Sequence, residues 1–193
     1  MPTRTPAFPY ARVPAPAIGR ARGFTLIEMV VTIVLIGVLA MAVIPVISSG
    51  VKTYITTTTS INTLSKLRYA TERMAREIRE VRRDPVTPAD YDISTNISTG
   101  SSTSLAFTKS DANQVSINGS GPPLVTLGYT LPSAVSSTLT DQVSSLTFAY
   151  YQADGSTPAT SVSTVAFVEI TLILIEDGAL LTQRTRVALR NQL

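Results

Sequence analysis

The hydrophobic pattern of the chain changes character twice, and the three regimes predict three kinds of element. From Met29 to Ile47 nineteen residues pass without a charge. At 1.5 Å per residue an α-helix of that length spans roughly 28 Å, close to the ~30 Å hydrocarbon thickness of a bilayer. Then Leu64, Leu67, Thr71, Met74, Ile78 and Val81 recur at spacings of three and four, one face of an amphipathic helix. Glu72/Arg76, Arg73/Glu77 and Arg76/Glu80 form i,i+4 pairs assigned to its other faces. Asp84-Pro85 is the predicted stop, because the residue before proline is pushed out of the α region. Thr53–Ser60 is the weak stretch: threonine and isoleucine, β-branched, are poor helix formers alone.

Beyond Pro85 the pattern switches to short apolar alternations between Ser, Thr, Asn and Gly, the mark of an antiparallel sheet. Strands are predicted near Ser104–Thr108, Gln114–Ile117, Leu124–Leu131, Val143–Gln152, Val162–Ile175 and Leu180–Leu189. Asp154-Gly155 and Asp177-Gly178 read as hairpin turns. Val168, Ile170, Leu172 and Leu174 share one strand face and Phe167, Thr171, Ile173 and Ile175 the other, so this strand is central or covered by the helix. Segments 94–104 and 133–145, rich in Ser and Thr, read as loops. The expected fold is α+β: one long N-terminal helix, half membrane-spanning and half amphipathic, packed on a small antiparallel sheet. The division is a leader at 1–23, a transmembrane helix at 24–47, an amphipathic helix at 48–84 and a sheet domain at 85–193.

Charge sharpens the picture at the N-terminus. Arg4, Arg12, Arg20 and Arg22 precede Gly23 with no acid among them. The net charge of +3 therefore belongs to the leader, since the remainder holds 12 basic and 13 acidic side chains. Pro2, Pro6, Pro9, Pro14 and Pro16 forbid a helix there and predict disorder. An ordinary secretory signal places its small-residue cleavage site after the apolar run, whereas Gly23 stands before it. A basic flank before a spanning helix predicts a cytoplasmic leader and an external C-terminal domain.

The chain has no Cys, His or Trp. That removes disulfides, Cys or His metal sites and imidazole chemistry. A tethered hydrolase would need a Ser-Lys or two-carboxylate site, and no spacing supports one. Asp90, Asp92 and Asp111 could offer oxygens to calcium, but dispersed acids read as solvated loop residues. The expectation is no enzyme, no metal and no cofactor. Lys66, Arg68, Arg73, Arg76, Arg79, Arg82 and Arg83, offset by Glu72, Glu77 and Glu80, read as a solvated helix face with ion pairs; DNA capture is the alternative.

One carboxylate, Glu28, interrupts the start of the apolar region. It lies about 6 Å along a helix from Phe24 and could reach the headgroups of a bilayer. Inside a bundle of such helices an unpaired carboxylate would be costly and would need a cation.

The segment Gly23-Phe24-Thr25-Leu26-Ile27-Glu28 resembles the processing and methylation motif of type IV pilins and of the pseudopilins of type II secretion. The resemblance implies cleavage between Gly23 and Phe24 by a prepilin peptidase, N-methylation of Phe24, and pairing of Glu28 with the new amine of a neighbouring subunit. It also implies loss of helix around Gly37 and Pro45 on assembly; Pro45, lacking a backbone donor, favours a kink or opening in that region. The implied partners are the peptidase, other pilin or pseudopilin subunits and an inner-membrane assembly platform that supplies the work of extraction. Leu146-Thr-Phe-Ala-Tyr-Tyr and Val187-Ala-Leu-Arg-Asn are similar to minor pilins and to J-type pseudopilins. Lacking the cysteines with which many major pilins staple their C-terminal region, the chain departs from the major adhesive type. Three readings stay open: a minor pilin, a minor pseudopilin, and a membrane-tethered DNA- or ligand-binding domain.

Overall fold

The computed structural model describes residues 23–190. The expected disorder of the leader falls on residues 1–22, which lie outside the described residues. The fold is α+β: among the described residues one helix, α1 (Leu26–Ile78), is followed by eight strands in two antiparallel sheets. The chain divides between Gly50 and Val51 into two compact units.

In the first unit α1 is exposed along nearly its whole surface. The helix runs uninterrupted through Gly37 and Pro45. The threonine-rich stretch beyond Gly50 is helical too. Thr58 and Thr59 donate their hydroxyls to the carbonyls of Tyr54 and Ile55 at 2.9 Å, and Thr63 and Ser65 bond four residues back in the same way. These back-bonds let hydroxyl side chains sit in a helix without competing for its backbone.

The second unit holds the core. Leu67, Ala70, Met74 and Ile78 of α1 are buried. The expected apolar stripe is buried from Leu67 to Ile78; Leu64 is exposed, and Val81, though buried, lies beyond the helix. One sheet has the order β1 (Ser101–Ser102), β6 (Val143–Tyr151), β7 (Phe167–Glu176) and β8 (Ala179–Ala188). The other runs β2 (Ser104–Thr108), β3 (Gln114–Asn118), β4 (Val125–Tyr129) and β5 (Val135–Thr140). β7 is central, and Val168, Ile170, Leu172 and Leu174 on its core face are fully buried, as the alternation predicted. The β7–β8 hairpin turns at Asp177 and Gly178 with φ of 48° and 80°, the paired left-handed conformation that suits Asp-Gly.

Several boundaries differ from the sequence reading. α1 ends at Ile78, short of Asp84-Pro85. Glu80 N and Val81 N switch to bonds with Glu77 O and Ile78 O, and the chain is then drawn into sheet-like pairing. Val81 bridges Lys109, Arg83 bridges Tyr91, and Arg82 N donates to Thr108 O. Tertiary backbone pairing thus outcompetes continued helix before the proline is reached. Asp154-Gly155 does not close a two-residue hairpin. It sits in the long connection from Tyr151 to Phe167, where the Asp154 carboxylate accepts bonds from the backbone and hydroxyls of Ser156 and Thr157. The segments read as loops contain β1 and β5.

Glu77 is also corrected. It is buried rather than solvated, and it ties α1 to the sheet of β2–β5. Arg73 and the Tyr129 hydroxyl, each at 2.9 Å, engage Oε1, and Arg73 also donates to the Tyr129 oxygen at 2.7 Å. Lys109 Nζ stands 3.2 Å from Oε2 without an aligned hydrogen bond, and 2.6 Å from Glu80. Burial pulls the Lys109 ammonium down, but attraction to the Glu80 and Glu77 carboxylates outweighs it and leaves it above its ordinary value. Of the three predicted i,i+4 pairs, Arg73–Glu77 is the one that closes among the described residues.

Two outcomes follow from this packing. A Cβ on Gly119 would lie 2.6 Å from Leu146 Cβ. Gly119→Ala should therefore destabilise the domain by about 1–3 kcal/mol, read from the urea midpoint at unchanged slope. Asp154 is held well below the usual carboxylate range, first by the Thr157 hydroxyl and then by the Thr157 and Ser156 amides. A lowered folded-state value gives stability that is present above the ordinary carboxylate range and lost as pH falls through the folded value. Asp154→Ala should therefore lower Tm at pH 7 and leave it nearly unchanged at the acid end of the scale, below the folded value.

Candidate functional site

The N-terminal segment is a helix start with an unusual surface. Leu26 is the first helical residue, and Thr25 caps it: Glu28 N lies 3.3 Å from Thr25 Oγ1 and 3.1 Å from Thr25 O, and Met29 N donates to Thr25 O at 3.2 Å. A hydroxyl at the cap satisfies an amide that has no intrahelical partner. Thr25-Leu26-Ile27-Glu28 has the spacing of a capping box, with the acid at the third helical position. In the sequence Glu28 stands out among apolar neighbours and Thr25 does not; the Thr-x-x-Glu spacing is the signal that marks the cap. Glu28 also lies in the first turn, where the partial positive charge of the helix favours an anion.

Gly23 and Phe24 precede the cap in non-helical chain, and both are exposed, Phe24 to 78%. The peptide bond between them is therefore open to an approaching protein. From Met29 to Ile47 the apolar side chains project outward; none of the most apolar window of α1 is buried. This helix is long and apolar enough to cross a membrane. Thr32, the one hydroxyl within the run, donates to Met29 O at 2.8 Å and so presents no unsatisfied donor. A Cβ on Gly37 would meet nothing within 4 Å, so this glycine leaves a notch on an open surface. Pro45 has no N–H to offer Met41 O, the carbonyl four residues back.

The basic run is mostly engaged. Lys66 pairs with Asp141 at 2.8 Å and Arg82 with Asp92 at 2.8 Å, Arg73 joins Glu77, and Arg83 lies 3.9 Å over the Tyr91 ring. Asp92 thus serves Arg82, and Asp111 accepts the amide of Asn113. Among the described residues no group of three or more acidic side chains is arranged to hold a metal ion.

A basic approach, an exposed Gly-Phe bond, a Thr-capped first turn with one carboxylate, and an uncovered apolar helix together form a recognisable set. Residues 18–44 match the prokaryotic N-terminal methylation motif. The motif supports a type IV pilin-like or pseudopilin subunit, whose role is structural, and a long apolar helix accords with membrane anchoring. It implies processing by a prepilin peptidase and assembly with other pilins. No curated protein and no solved structure is significantly similar to the chain.

The cap gives a direct expectation. Thr25→Ala removes the hydroxyl and should cost about 1 kcal/mol of local helix stability. Amide exchange at Glu28 and Met29, whose N–H groups bond to Thr25, should then quicken about fivefold in detergent micelles, with amides beyond the first two turns unaffected.

Proposed function

We propose that the protein is a minor type IV pilin-like subunit, processed at its N-terminus and built into a filament through residues 24–47. Hydrolysis of the Gly23–Phe24 bond leaves a carboxylate on the leader and an ammonium on Phe24. N-methylation of that ammonium keeps its positive charge. Before assembly the apolar helix holds the subunit in the inner membrane, with leader 1–23 on the cytoplasmic side. The helix continues to Ile78, and the sheet domain that follows it lies in the periplasm. Exchange of lipid for neighbouring helices brings little hydrophobic gain, so packing and polar pairing drive it.

Glu28 is the polar element of that exchange. Among helices of its own kind the carboxylate meets the Phe24 ammonium of an adjacent subunit, a charge-assisted pair formed only after cleavage. What carries this reading is the coincidence, within six residues, of an exposed Gly23–Phe24 bond and a first-turn carboxylate in front of an uncovered apolar helix. Gly37 and Pro45 mark where the helix opens on assembly, since the Met41 carbonyl already lacks its helical donor. The same motif serves pseudopilins. The absence of cysteine and the Leu146–Tyr151 segment support a minor subunit without separating pilus from secretion system.

Glu28→Leu should insert into the membrane at wild-type levels, while its share in sheared, purified filaments falls about tenfold or more, because each neighbour's ammonium then lacks its partner. Incorporation equal to wild type, read by quantitative blotting, would reject the pairing.

A further inference from the structure

The two sheets of the outer domain have four edges, and three are defended. β1 is two residues long. β2 is covered by the segment before it: Ser94 N donates to Ala106 O, Thr108 N donates to Asp92 O, and Ala106 N donates to Thr95 Oγ1. β8 carries Arg184 and Arg186. Short strands, covering chain and charged side chains are the usual ways of blocking strand addition. β5 has none of them along Val135-Ser-Ser-Thr138, which is uncharged, free of Pro and Gly, and exposed at every residue. Its one irregularity, the register shift opposite Val125/Thr126, lies beyond Thr138.

The hydrogen-bond phase shows which backbone groups stand free. Thr130 N donates to Gln114 O, so the even-numbered residues of β4 bond to β3 and the odd-numbered ones to β5. Leu127 opposes Ser137 and Tyr129 opposes Val135. Ser136 and Thr138 therefore direct their N–H and C=O groups away from the sheet.

We propose that β5 is a strand-addition site and that its occupant is β5 of a second copy of this chain. Antiparallel pairing of Ser136 with Thr138 of the second copy, repeated by the two-fold axis, makes four hydrogen bonds from groups that now face outward. Ser137 lies on the axis opposite itself, and Val135 of each copy runs alongside Leu139 of the other. The charges agree with this occupant. No like charges face each other across the axis, and the ionic groups lining the groove beside the strand, Lys66 and Asp141, are already paired within each copy. Beside the strand a groove of about 260 Å³, lined by Lys66, Tyr69 and Thr138–Asp141, leaves room for the added side chains, and Tyr69 is 63% exposed. A two-fold contact closes on itself and cannot propagate a filament, so it joins subunits in pairs. Its small area suits membrane-held copies, whose confinement raises their effective concentration. The proposal stands independently of the Glu28 pairing.

The native chain has no cysteine, which makes cross-linking clean. Full-length Ser137→Cys, reconstituted in liposomes and mildly oxidised, should give a disulfide-linked homodimer as the main product, because directly opposed residues of a non-hydrogen-bonded pair have Cα atoms about 4.5 Å apart. Ser116→Cys, exposed on the inner strand β3, should stay monomeric. Thr138→Pro in the Ser137→Cys background removes an outward N–H that the fold does not use. It should abolish the dimer with the circular dichroism spectrum unchanged. A Ser137→Cys protein that stays monomeric, equal cross-linking at both substituted positions, or a dimer that survives Thr138→Pro with the fold intact would each overturn the proposal. So would a Ser137→Cys protein that links, in cell membranes, to a different protein in place of a second copy.

Discussion

An α-helix satisfies its own backbone, so what surrounds it is decided by its side chains. In the first half of α1 those side chains are apolar and, among the described residues, exposed. Water is excluded as a stable environment for such a surface; lipid and other helices remain. That constraint makes the single carboxylate at Glu28 significant. In the first helical turn it has the helix's own partial charge and the headgroups within reach, whereas within a bundle it needs a counter-cation. The motif match over residues 18–44 implies processing by a prepilin peptidase, and the cleavage proposed after Gly23 would create such a cation.

The sheet domain answers a different requirement. With no disulfide available, its register depends on packed side chains and on a few polar ties. Leu67, Ala70, Met74 and Ile78 supply the apolar part of the helix–sheet contact. The Arg73–Glu77–Tyr129 group and Lys109 make that contact directional, because a buried carboxylate tolerates few arrangements other than one that brings cations and a donor to it. Burial and then the Glu77 carboxylate hold the Tyr129 hydroxyl above its ordinary value, so it remains a donor across the neutral range. At the far end of the domain, Arg186 stacks over Tyr151 and binds both Gly155 O and the buried Glu169, fastening the long β6–β7 connection to the sheet.

Much of this was legible in the chain because the signals were local. The nineteen uncharged residues, the three-and-four spacing of Leu67, Thr71, Met74 and Ile78, and the Asp177-Gly178 turn each carry their meaning within a few neighbours. What could not be read depended on distant partners. β5 has the composition of a loop and is a strand only because β4 offers it a ladder. α1 stops at Ile78 because Tyr91 and the more distant Lys109 pair with the residues that follow. Glu77 reads as half of a surface ion pair until Tyr129 and Lys109 fold over it. At the candidate site the motif was plain, yet the cap at Thr25 was overlooked beside a carboxylate with a more conspicuous role.

The account turns on whether the ammonium opposite Glu28 exists. Intact-mass and N-terminal peptide analysis of the protein recovered from purified filaments tests this most directly. The expected chain begins at Phe24 with one added methyl group on its amine. A chain that still begins at Met1 would leave Glu28 without its cation and contradict the account.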